Sequence, residues 1–336
     1  MTDIAVTHQF APFVSAYPWS AGFGTKYADP GTTPTGFGFG VGFSPDSANI
    51  AIAHVTTPFV SAYPWSDGFG TKYANPGVLP TGSCYSVAFS PSRNDVAVAH
   101  TNTPRVSVYP WASGFGTKYT NPATVPTGIG IGVAFSPSGD DVAVAHFTTP
   151  FVSAYPWASG FGTKYANPGV LPASNGESPA FSPSGADIAI SHQTTPFISV
   201  YPWASGFGTK YANPGTLPPN TGYALAFSPS GADVVIGHLN TPFVSAYPWS
   251  AGFGTKYTDP GTLPPGNGRG VSFSPSGADV AIGHQFAPFV STYPWASGFG
   301  TKYADPGILP AGNGRGVSFN ATGDRAIPIL MGQEWM

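Results

Sequence analysis

A period of 46 residues runs through almost the whole chain. The segment YPW-x-x-GFGTKY occurs intact seven times, and seven units of 46 residues make 322 of the 336 residues. Repeats with a period of about 20 to 50 residues are typical of solenoids and propellers, in which each unit buries its apolar surface against its neighbours. The same interval separates all seven histidines, which are His8, His54, His100, His146, His192, His238 and His284.

Each repeat divides into four short apolar segments separated by Gly and Pro. In the copy that contains His238, these segments lie at residues 225–227, 233–238, 242–249 and 253–258. The second and third segments alternate with a period of two and are rich in Val, Ile, Phe and Tyr, which is typical of β-strands. The chain contains 44 Gly and 38 Pro, too many for long helices. We therefore predict an all-β fold, a seven-bladed β-propeller with four antiparallel strands in each blade.

The two ends of the chain indicate how the ring closes. The first-strand segment occurs seven times and ends with residues 317–319, whereas two segments compete for the second strand of the last blade. Residues 3–8 match the repeat, but residues 325–330 contain a proline and lack the histidine. We therefore predict that the N-terminal strand closes the last blade. Residues 1–320 then form a single propeller domain, and residues 321–336 form a tail that packs as a cap or an interface arm.

The motif FSPSGAD, followed by an apolar strand that ends in His, resembles the FSPDG core of WD40-like and YVTN/PD40-type propeller repeats. The resemblance covers essentially the whole chain. It implies a closed ring of blades that usually serves as a binding platform, and it implies no particular chemistry. The dipeptide after the third strand is Trp-Ser or Trp-Ala and never Trp-Asp, so the hydrogen-bond tetrad of true WD40 repeats does not carry over.

The low charge of the chain argues against several classes of function. Only 8% of the residues are charged, the net charge is −3 and there is no basic cluster, so we expect no nucleic-acid partner. No apolar run approaches the ~18 residues of a membrane span, and no secretory signal is visible. Cys84 is the only cysteine, which leaves no intrachain disulfide. The localisation stays unknown, although a weakly charged surface rich in Gly, Ser and Thr suits an extracellular or virion-surface protein.

The ring of histidines is a candidate metal site, but the spacing of the blades opposes it. Adjacent sheets pack ~10 Å apart, whereas the nitrogen ligands of one zinc ion lie only about 3–3.5 Å apart. We therefore predict no metal and no cofactor, and a structural role in which each imidazole hydrogen-bonds the loop that follows it. No arrangement of Ser, Cys, His and Asp typical of an activated nucleophile occurs, so we predict no catalytic residue.

The copies differ mainly in two columns of residues, one of them two positions before the other, as Ile129 and Ile131 in the third copy. The position after each histidine also varies, as at Phe147 and Gln193. Both columns lie where the loop between blades enters the first strand, and propeller topology places them around one mouth of the central channel. Variation on one face of a constant scaffold is typical of a binding surface, and neutral drift in loosely packed loops would leave the same pattern. One side of the mouth is polar and the other apolar, which suits a ligand with a polar or anionic end and an apolar body. The predicted binding residues are Phe37, Phe39, Tyr85, Ile131, Glu177, Tyr223, Arg269 and Arg315.

Three functions fit these features. The preferred hypothesis is a non-enzymatic module that binds a protein or a glycan, with several weak sites acting together. It would bind through the variable face or, alternatively, through repeated blade grooves in which Tyr109, Trp111, Tyr155 and Trp157 are stacking platforms. The second hypothesis is a hydrolase or lactonase at the channel mouth, for which metal-binding carboxylates or histidines would have to converge on the axis. The third is a designed or recently amplified scaffold without a selected ligand.

Overall fold

The computed structural model describes residues 2–92 and 94–320, which contain 21 β-strands and no helix. The described chain accordingly has no helix long and apolar enough to span a membrane. The predicted tail at residues 321–336, and the competing strand within it, lie outside the described residues. The strands are β1 (Thr2–His8), β2 (Val14–Trp19), β3 (Gly38–Phe43), β4 (Asn49–His54), β5 (Val60–Pro64), β6 (Cys84–Phe89), β7 (Asp95–His100), β8 (Val106–Pro110), β9 (Gly130–Phe135), β10 (Asp141–His146), β11 (Val152–Pro156), β12 (Gly176–Phe181), β13 (Asp187–His192), β14 (Ile198–Pro202), β15 (Gly222–Phe227), β16 (Asp233–His238), β17 (Val244–Pro248), β18 (Gly268–Phe273), β19 (Asp279–His284), β20 (Val290–Pro294) and β21 (Gly314–Phe319).

The strands form seven three-stranded antiparallel sheets, one in each blade. Blades 1 to 6 each use three consecutive strands, from β3-β4-β5 in blade 1 to β18-β19-β20 in blade 6. The first strand of each blade contacts the first strand of the next, and β21 contacts β3, so these strands close a ring around a central axis. The prediction of an all-β, seven-bladed propeller is confirmed.

Blade 7 is assembled from both ends of the chain. Its strand order is β2-β1-β21, and β1 pairs with β21 through Ile4 opposite Phe319 and Val6 opposite Val317. The backbone N–H of Asn320 also donates to the carbonyl of Asp3 at 3.0 Å. The predicted closure by the N-terminal strand is therefore confirmed. It covers the sheet edge that would otherwise stay open between the first and last repeats.

The fourth strand of each blade differs from the prediction. The segment after the third strand makes a single bridge, between Trp19 and Phe23 in blade 7 and between the equivalent pair in every other blade. The carbonyl of Pro18 accepts a hydrogen bond from the Gly24 N–H at 2.8 Å, but the proline nitrogen has no hydrogen to return the reciprocal bond. One further backbone bond, donated by Tyr27, holds the segment along the third strand. Each blade therefore has three strands and an extended outer segment instead of four strands.

Aromatic residues of the constant segment fill the boundaries between blades. Between blades 7 and 1, Trp65 packs edge-to-face against Phe43, Phe69 and Tyr27, with ring centroids 5.0 to 5.4 Å apart. Such pairs stabilise a fold by about 0.5–1.5 kcal/mol beyond the burial of their area. Equivalent clusters recur at the other boundaries. The repeated aromatic residues are therefore the apolar core that holds neighbouring blades together.

A buried aspartate also joins six of the seven blades to the next. Asp3 accepts a hydrogen bond from Tyr27 Oη of its own blade at 2.7 Å and from Trp65 Nε1 of the next blade at 2.8 Å. Hydrogen bonds to a carboxylate are stronger than those between neutral groups. Blade 1 has Asn49 at this position, and Trp111 Nε1 is buried without a partner among the described residues. The other blades repeat the pair of bonds at Asp95, Asp141, Asp187, Asp233 and Asp279.

Candidate functional site

Each first strand contains a one-residue β-bulge. In blade 4, Gly176 lies opposite His192 and Ser178 lies opposite Ser191, so Glu177 has no partner on the second strand. A bulge redirects a side chain out of the regular alternation and is common next to active sites. In all seven blades the bulged residue belongs to the same variable column, and these residues are Phe39, Tyr85, Ile131, Glu177, Tyr223, Arg269 and Arg315.

The residue before the bulge is small because the preceding blade approaches it closely. A Cβ added to Gly176 would lie 2.3 Å from the carbonyl oxygen of Phe151, at the end of a loop of blade 3. Six copies have glycine at this position, and the buried Cys84 occupies it in blade 2. The close approach fixes the start of the first strand, and with it the direction of the bulged side chain.

The seven bulged side chains line one cavity on the propeller axis, with a volume of about 400 Å³. The structure thus brings together seven of the eight predicted binding residues. Phe37 is the exception: it does not line the cavity, and 40% of its surface is exposed. A cavity of this size is typical of sites for small molecules.

The cavity has an apolar wall and a polar wall. The rings of Phe39 and Tyr85 pack edge-to-face on the apolar side, with their centroids 4.8 Å apart. Blades 1 to 3 form this wall with Phe39, Tyr85, Ile129, Ile131 and Phe147. Blades 4 to 7 form the polar wall with Glu177, Tyr223, Arg269 and Arg315, and they also line the cavity with Leu225, Val271 and Val317.

The two arginines lie against aromatic rings of neighbouring blades. The guanidinium carbon of Arg315 is 4.3 Å from the ring centroid of Phe39, and that of Arg269 is 4.8 Å from the ring centroid of Tyr223. Both Nε atoms are buried and have no hydrogen-bond partner within the described part of the chain. Burial, together with the charge of Arg269, lowers the pKa of Arg315 to about 10. Arg315 is therefore cationic at neutral pH, and both guanidinium groups can donate to a carbonyl oxygen or an anion.

Glu177 is the one acidic residue among the described residues that line the cavity. Gln193 Nε2 donates to Glu177 Oε1 at 2.5 Å, and Asn175 Nδ2 donates to the side-chain oxygen of Gln193 at 3.2 Å. Burial raises the pKa of Glu177 to about 7, against the opposing effects of the Gln193 hydrogen bond and the charge of Arg269. A carboxyl group with this pKa exchanges its proton readily near neutral pH, which suits a general base.

Two residues of the site lie outside the two variable columns and were not named as binding residues from the sequence. Phe147 lines the cavity, and Gln193 contacts Glu177. Each directly follows the buried histidine of its blade, at a position that varies among the copies. That variation indicates a binding residue, but it does not show which of the seven loops reach the axis.

The histidines are buried within their blades. Every imidazole Nε2 lies 2.9–3.1 Å from the Oγ of the serine seven residues later, as in His238 with Ser245. His238 Nδ1 also bonds the carbonyl of Asn240, in the loop that follows the strand, at 2.8 Å. Over residues 2–92 and 94–320, no three side chains of His, Cys, Asp or Glu lie close enough to hold one metal ion.

The residues of the alternative blade grooves lie in the inter-blade core. Tyr109 and Tyr155 are fully buried, and Trp111 and Trp157 expose 6% and 5% of their surface. A ligand that stacked on these rings would have to separate two blades. A groove of about 280 Å³ does occur between blades 7 and 1, but it is lined by Tyr27 and segments of the outer edge instead of the equivalents of these four residues.

Solved structures share this architecture over nearly the whole chain. A periplasmic gluconolactonase from Pseudomonas aeruginosa has a TM-score of 0.70 and 14% identity, over 96% of this chain and 99% of its own. A protein from Bacteroides uniformis, provisionally assigned as a 6-phosphogluconolactonase, has a TM-score of 0.72 and 13% identity, over 95% and 99%. One from Bacteroides fragilis with the same provisional assignment has a TM-score of 0.69 and 11% identity, over 95% and 98%. At these identities the likeness shows the fold. No protein-family model matches the chain, and no curated protein matches its sequence.

These similar structures contradict the expectation of a non-enzymatic binding module. All three propellers carry the names of lactonases, which are enzymes. The prediction that the chain is not an enzyme is corrected accordingly. Its physical weakness is that variable residues around a propeller mouth form the same sequence pattern whether they only hold a ligand or also act on it.

Proposed function

We propose that the protein is a lactone hydrolase whose reaction takes place in the axial cavity, with Glu177 as the general base. The observation that carries the proposal is this carboxyl group itself, held by Gln193 at 2.5 Å and with a pKa raised to about 7 by burial. A base of this pKa is partly ionised at neutral pH and takes a proton from water effectively. The lactonase names of the three similar propellers support the same class of reaction.

In the proposed reaction, Glu177 accepts a proton from a water molecule while the water oxygen attacks the lactone carbonyl carbon. Negative charge develops on the carbonyl oxygen, and the guanidinium groups of Arg269 and Arg315 are the donors that stabilise it. When the tetrahedral intermediate collapses, the ring C–O bond breaks and Glu177 returns its proton to the departing ring oxygen. The product is a hydroxy acid, whose carboxyl group releases its proton to solvent and lies as a carboxylate beside the arginines until it leaves.

We further propose that the repeats are of the WD40-like or YVTN/PD40 type. The FSPSGAD motif supports this assignment, because it forms a tight turn between the first two strands. In blade 5 the carbonyl of Ser228 accepts a hydrogen bond from the N–H of Gly231 at 2.8 Å, and Gly231 has a φ of +75°. A glycine adopts this left-handed conformation without steric cost.

Replacement of the proposed base tests the function. Glu177→Gln keeps the size of the side chain and a carbonyl oxygen for Gln193, but it cannot take a proton from water. We expect kcat for the hydrolysis of δ-valerolactone to fall by about 100- to 10,000-fold, measured as acid release in a pH-stat. Asp140→Asn is the matched control, because Asp140 is exposed in a turn between the first two strands of blade 3. It should leave the rate unchanged.

The pH dependence of the wild-type rate provides a second readout. The enzyme-dependent rate should rise as the pH passes through about 7 and then level off, because only ionised Glu177 accepts a proton. A wild-type protein that hydrolyses no lactone faster than buffer, or a Glu177→Gln variant as active as the wild type, would rule out the proposed reaction.

A further inference from the structure

The two walls of the axial cavity differ in their capacity to form hydrogen bonds. The apolar wall consists mainly of Phe39, Tyr85, Ile129, Ile131 and Phe147, and Tyr85 and Ser86 are the two residues with polar side-chain atoms that line the cavity from blades 1 to 3. Ile129 and Ile131 are partly exposed, and their side chains neither donate nor accept hydrogen bonds. This half of the cavity can bury apolar atoms of a ligand and can pair with few of its polar atoms.

The polar wall fixes the orientation of a lactone. Glu177, Arg269 and Arg315 all lie in blades 4 to 7, and the unpartnered Nε atoms of both arginines are buried. The reacting ester group must lie against this wall, since the base and the donors are there. The remainder of the substrate then lies against blades 1 to 3.

We infer that the substrate is a lactone with an alkyl substituent, bound with this substituent against the apolar wall; the inference rests on the proposed function. Each methylene buried there should raise kcat/KM by about three- to fourfold. A polyhydroxylated sugar lactone would instead lose water from hydroxyl groups that find no partner on this wall. That loss amounts to about tenfold in affinity for each such hydroxyl.

A homologous series of lactones tests the inference. We expect kcat/KM to increase from δ-valerolactone through δ-hexalactone and δ-octalactone to δ-decalactone, by about three- to fourfold for each added methylene until the wall is covered. Glucono-δ-lactone should be hydrolysed at least about tenfold less efficiently than δ-decalactone. A sugar lactone that is hydrolysed faster than δ-decalactone would overturn the inference and leave the proposed function intact.

A substitution in the apolar wall shows whether the chain-length effect arises there. Asn already occupies the column of Ile129 in three other copies, at Asn175, Asn267 and Asn313, so the backbone accepts Ile129→Asn. This variant should lose about tenfold in kcat/KM for δ-decalactone and progressively less for shorter chains. Ile308→Asn is the matched control, because Ile308 is 59% exposed and does not line the cavity. An unchanged chain-length slope in Ile129→Asn would overturn the inference.

Ligand binding separates failure of the inference from failure of the proposed function. Octanoate and gluconate resemble the products of the two classes of lactone, and their binding to the wild-type protein is measurable by calorimetry without any reaction. Octanoate should bind at least about tenfold more tightly, through its carboxylate at the arginines and its chain at the apolar wall. If no lactone is hydrolysed but octanoate binds in this way, the proposed reaction fails and the inferred binding of an alkyl chain at the apolar wall still holds. Binding of octanoate that is equal to or weaker than that of gluconate would overturn the inference. This test uses the wild-type protein and therefore holds even if the Ile129→Asn variant does not fold.

Discussion

Asn49 occupies the position at which the other six blades have a buried aspartate. Asn49 Oδ1 accepts the hydrogen bond of Tyr73 Oη at 2.8 Å, as the aspartates do for their own tyrosines. The indole of Trp111, in contrast, finds no acceptor among the described residues. A carboxylate has two oxygens that accept, whereas an amide has only one, and this difference explains the unsatisfied donor.

Restoring the carboxylate should stabilise the protein. We expect Asn49→Asp to raise the free energy of unfolding by about 1 kcal/mol or more, because the buried Trp111 Nε1 gains an acceptor. Urea unfolding followed by tryptophan fluorescence measures the change.

The reverse substitution in the next blade is the matched control. Asp95→Asn should lower the free energy of unfolding by about 1–3 kcal/mol, since it removes the acceptor of Trp157 Nε1, which now bonds Asp95 at 3.0 Å. The prediction requires that the changes in the free energy of unfolding of Asn49→Asp and Asp95→Asn have opposite signs. A destabilised Asn49→Asp variant would show that the buried charge costs more than the hydrogen bond contributes.

At the scale of the strand, the bulge near the start of each first strand connects folding to function. It places seven side chains on the axis, and it depends on a residue without a bulky side chain just before it. Gly176 illustrates the constraint, because a Cβ there would meet the carbonyl oxygen of Phe151 at 2.3 Å. The position of Glu177 is thus set by the contact between blades 3 and 4.

A pair of glycine substitutions tests this dependence. Gly176→Ala should lower the free energy of unfolding by about 1–3 kcal/mol and reduce lactone hydrolysis, since the strand must move away from blade 3 and carry Glu177 with it. Gly169→Ala is the control, because a Cβ at Gly169 has no neighbour within 4 Å. It should change the free energy of unfolding by less than about 1 kcal/mol and leave the rate unchanged. Equal stability and activity in the two variants would contradict the role assigned to the close approach.

At the scale of the whole molecule, seven buried histidines make the fold sensitive to acid. Burial lowers the pKa of six of them to about 4 and also lowers the pKa of His146. Between about pH 6.5 and 4, the unfolded chain therefore binds protons that the folded chain does not. Glu177 has the opposite effect, because its pKa of about 7 makes the folded state hold a proton that the unfolded state releases. Glu177 is a single group, so the effect of the seven histidines on the pH dependence of stability is larger.

We expect the free energy of unfolding to fall steeply as the pH drops from about 6.5 towards 4. The unfolded state binds more protons in this window, so stability increases with pH, by up to about 1.4 kcal/mol per pH unit for each histidine. Urea unfolding at a series of pH values measures this slope. His238→Gln removes one titrating group and should reduce the slope by up to about 1.4 kcal/mol per pH unit. Equal stability at pH 7 and pH 5 would contradict the prediction.

Much of the architecture follows from the sequence by itself. The 46-residue period determined the number of blades, and the match of residues 3–8 to the repeat determined how the ring closes. The variable column containing Glu177 was also assigned to the channel mouth, where the structure places it. These features can be predicted from the sequence because they depend on local pattern, and because every copy occupies an equivalent place in a symmetric ring.

Only the tertiary structure decided the properties that depend on enclosure and on neighbours distant in the chain. Ring closure places Arg315 of the last blade on Phe39 of the first, and the loop of Gln193 meets Glu177 at the axis. The pKa of Glu177 rises because the assembled blades partly bury its carboxyl group, which no single repeat does. The outer segment of each blade likewise does not form a fourth strand, because the nitrogen of Pro18 and of its equivalents has no hydrogen to donate to this segment. A repeat pattern specifies where residues lie, whereas the chemistry of the cavity arises only when unlike copies face one another across the axis.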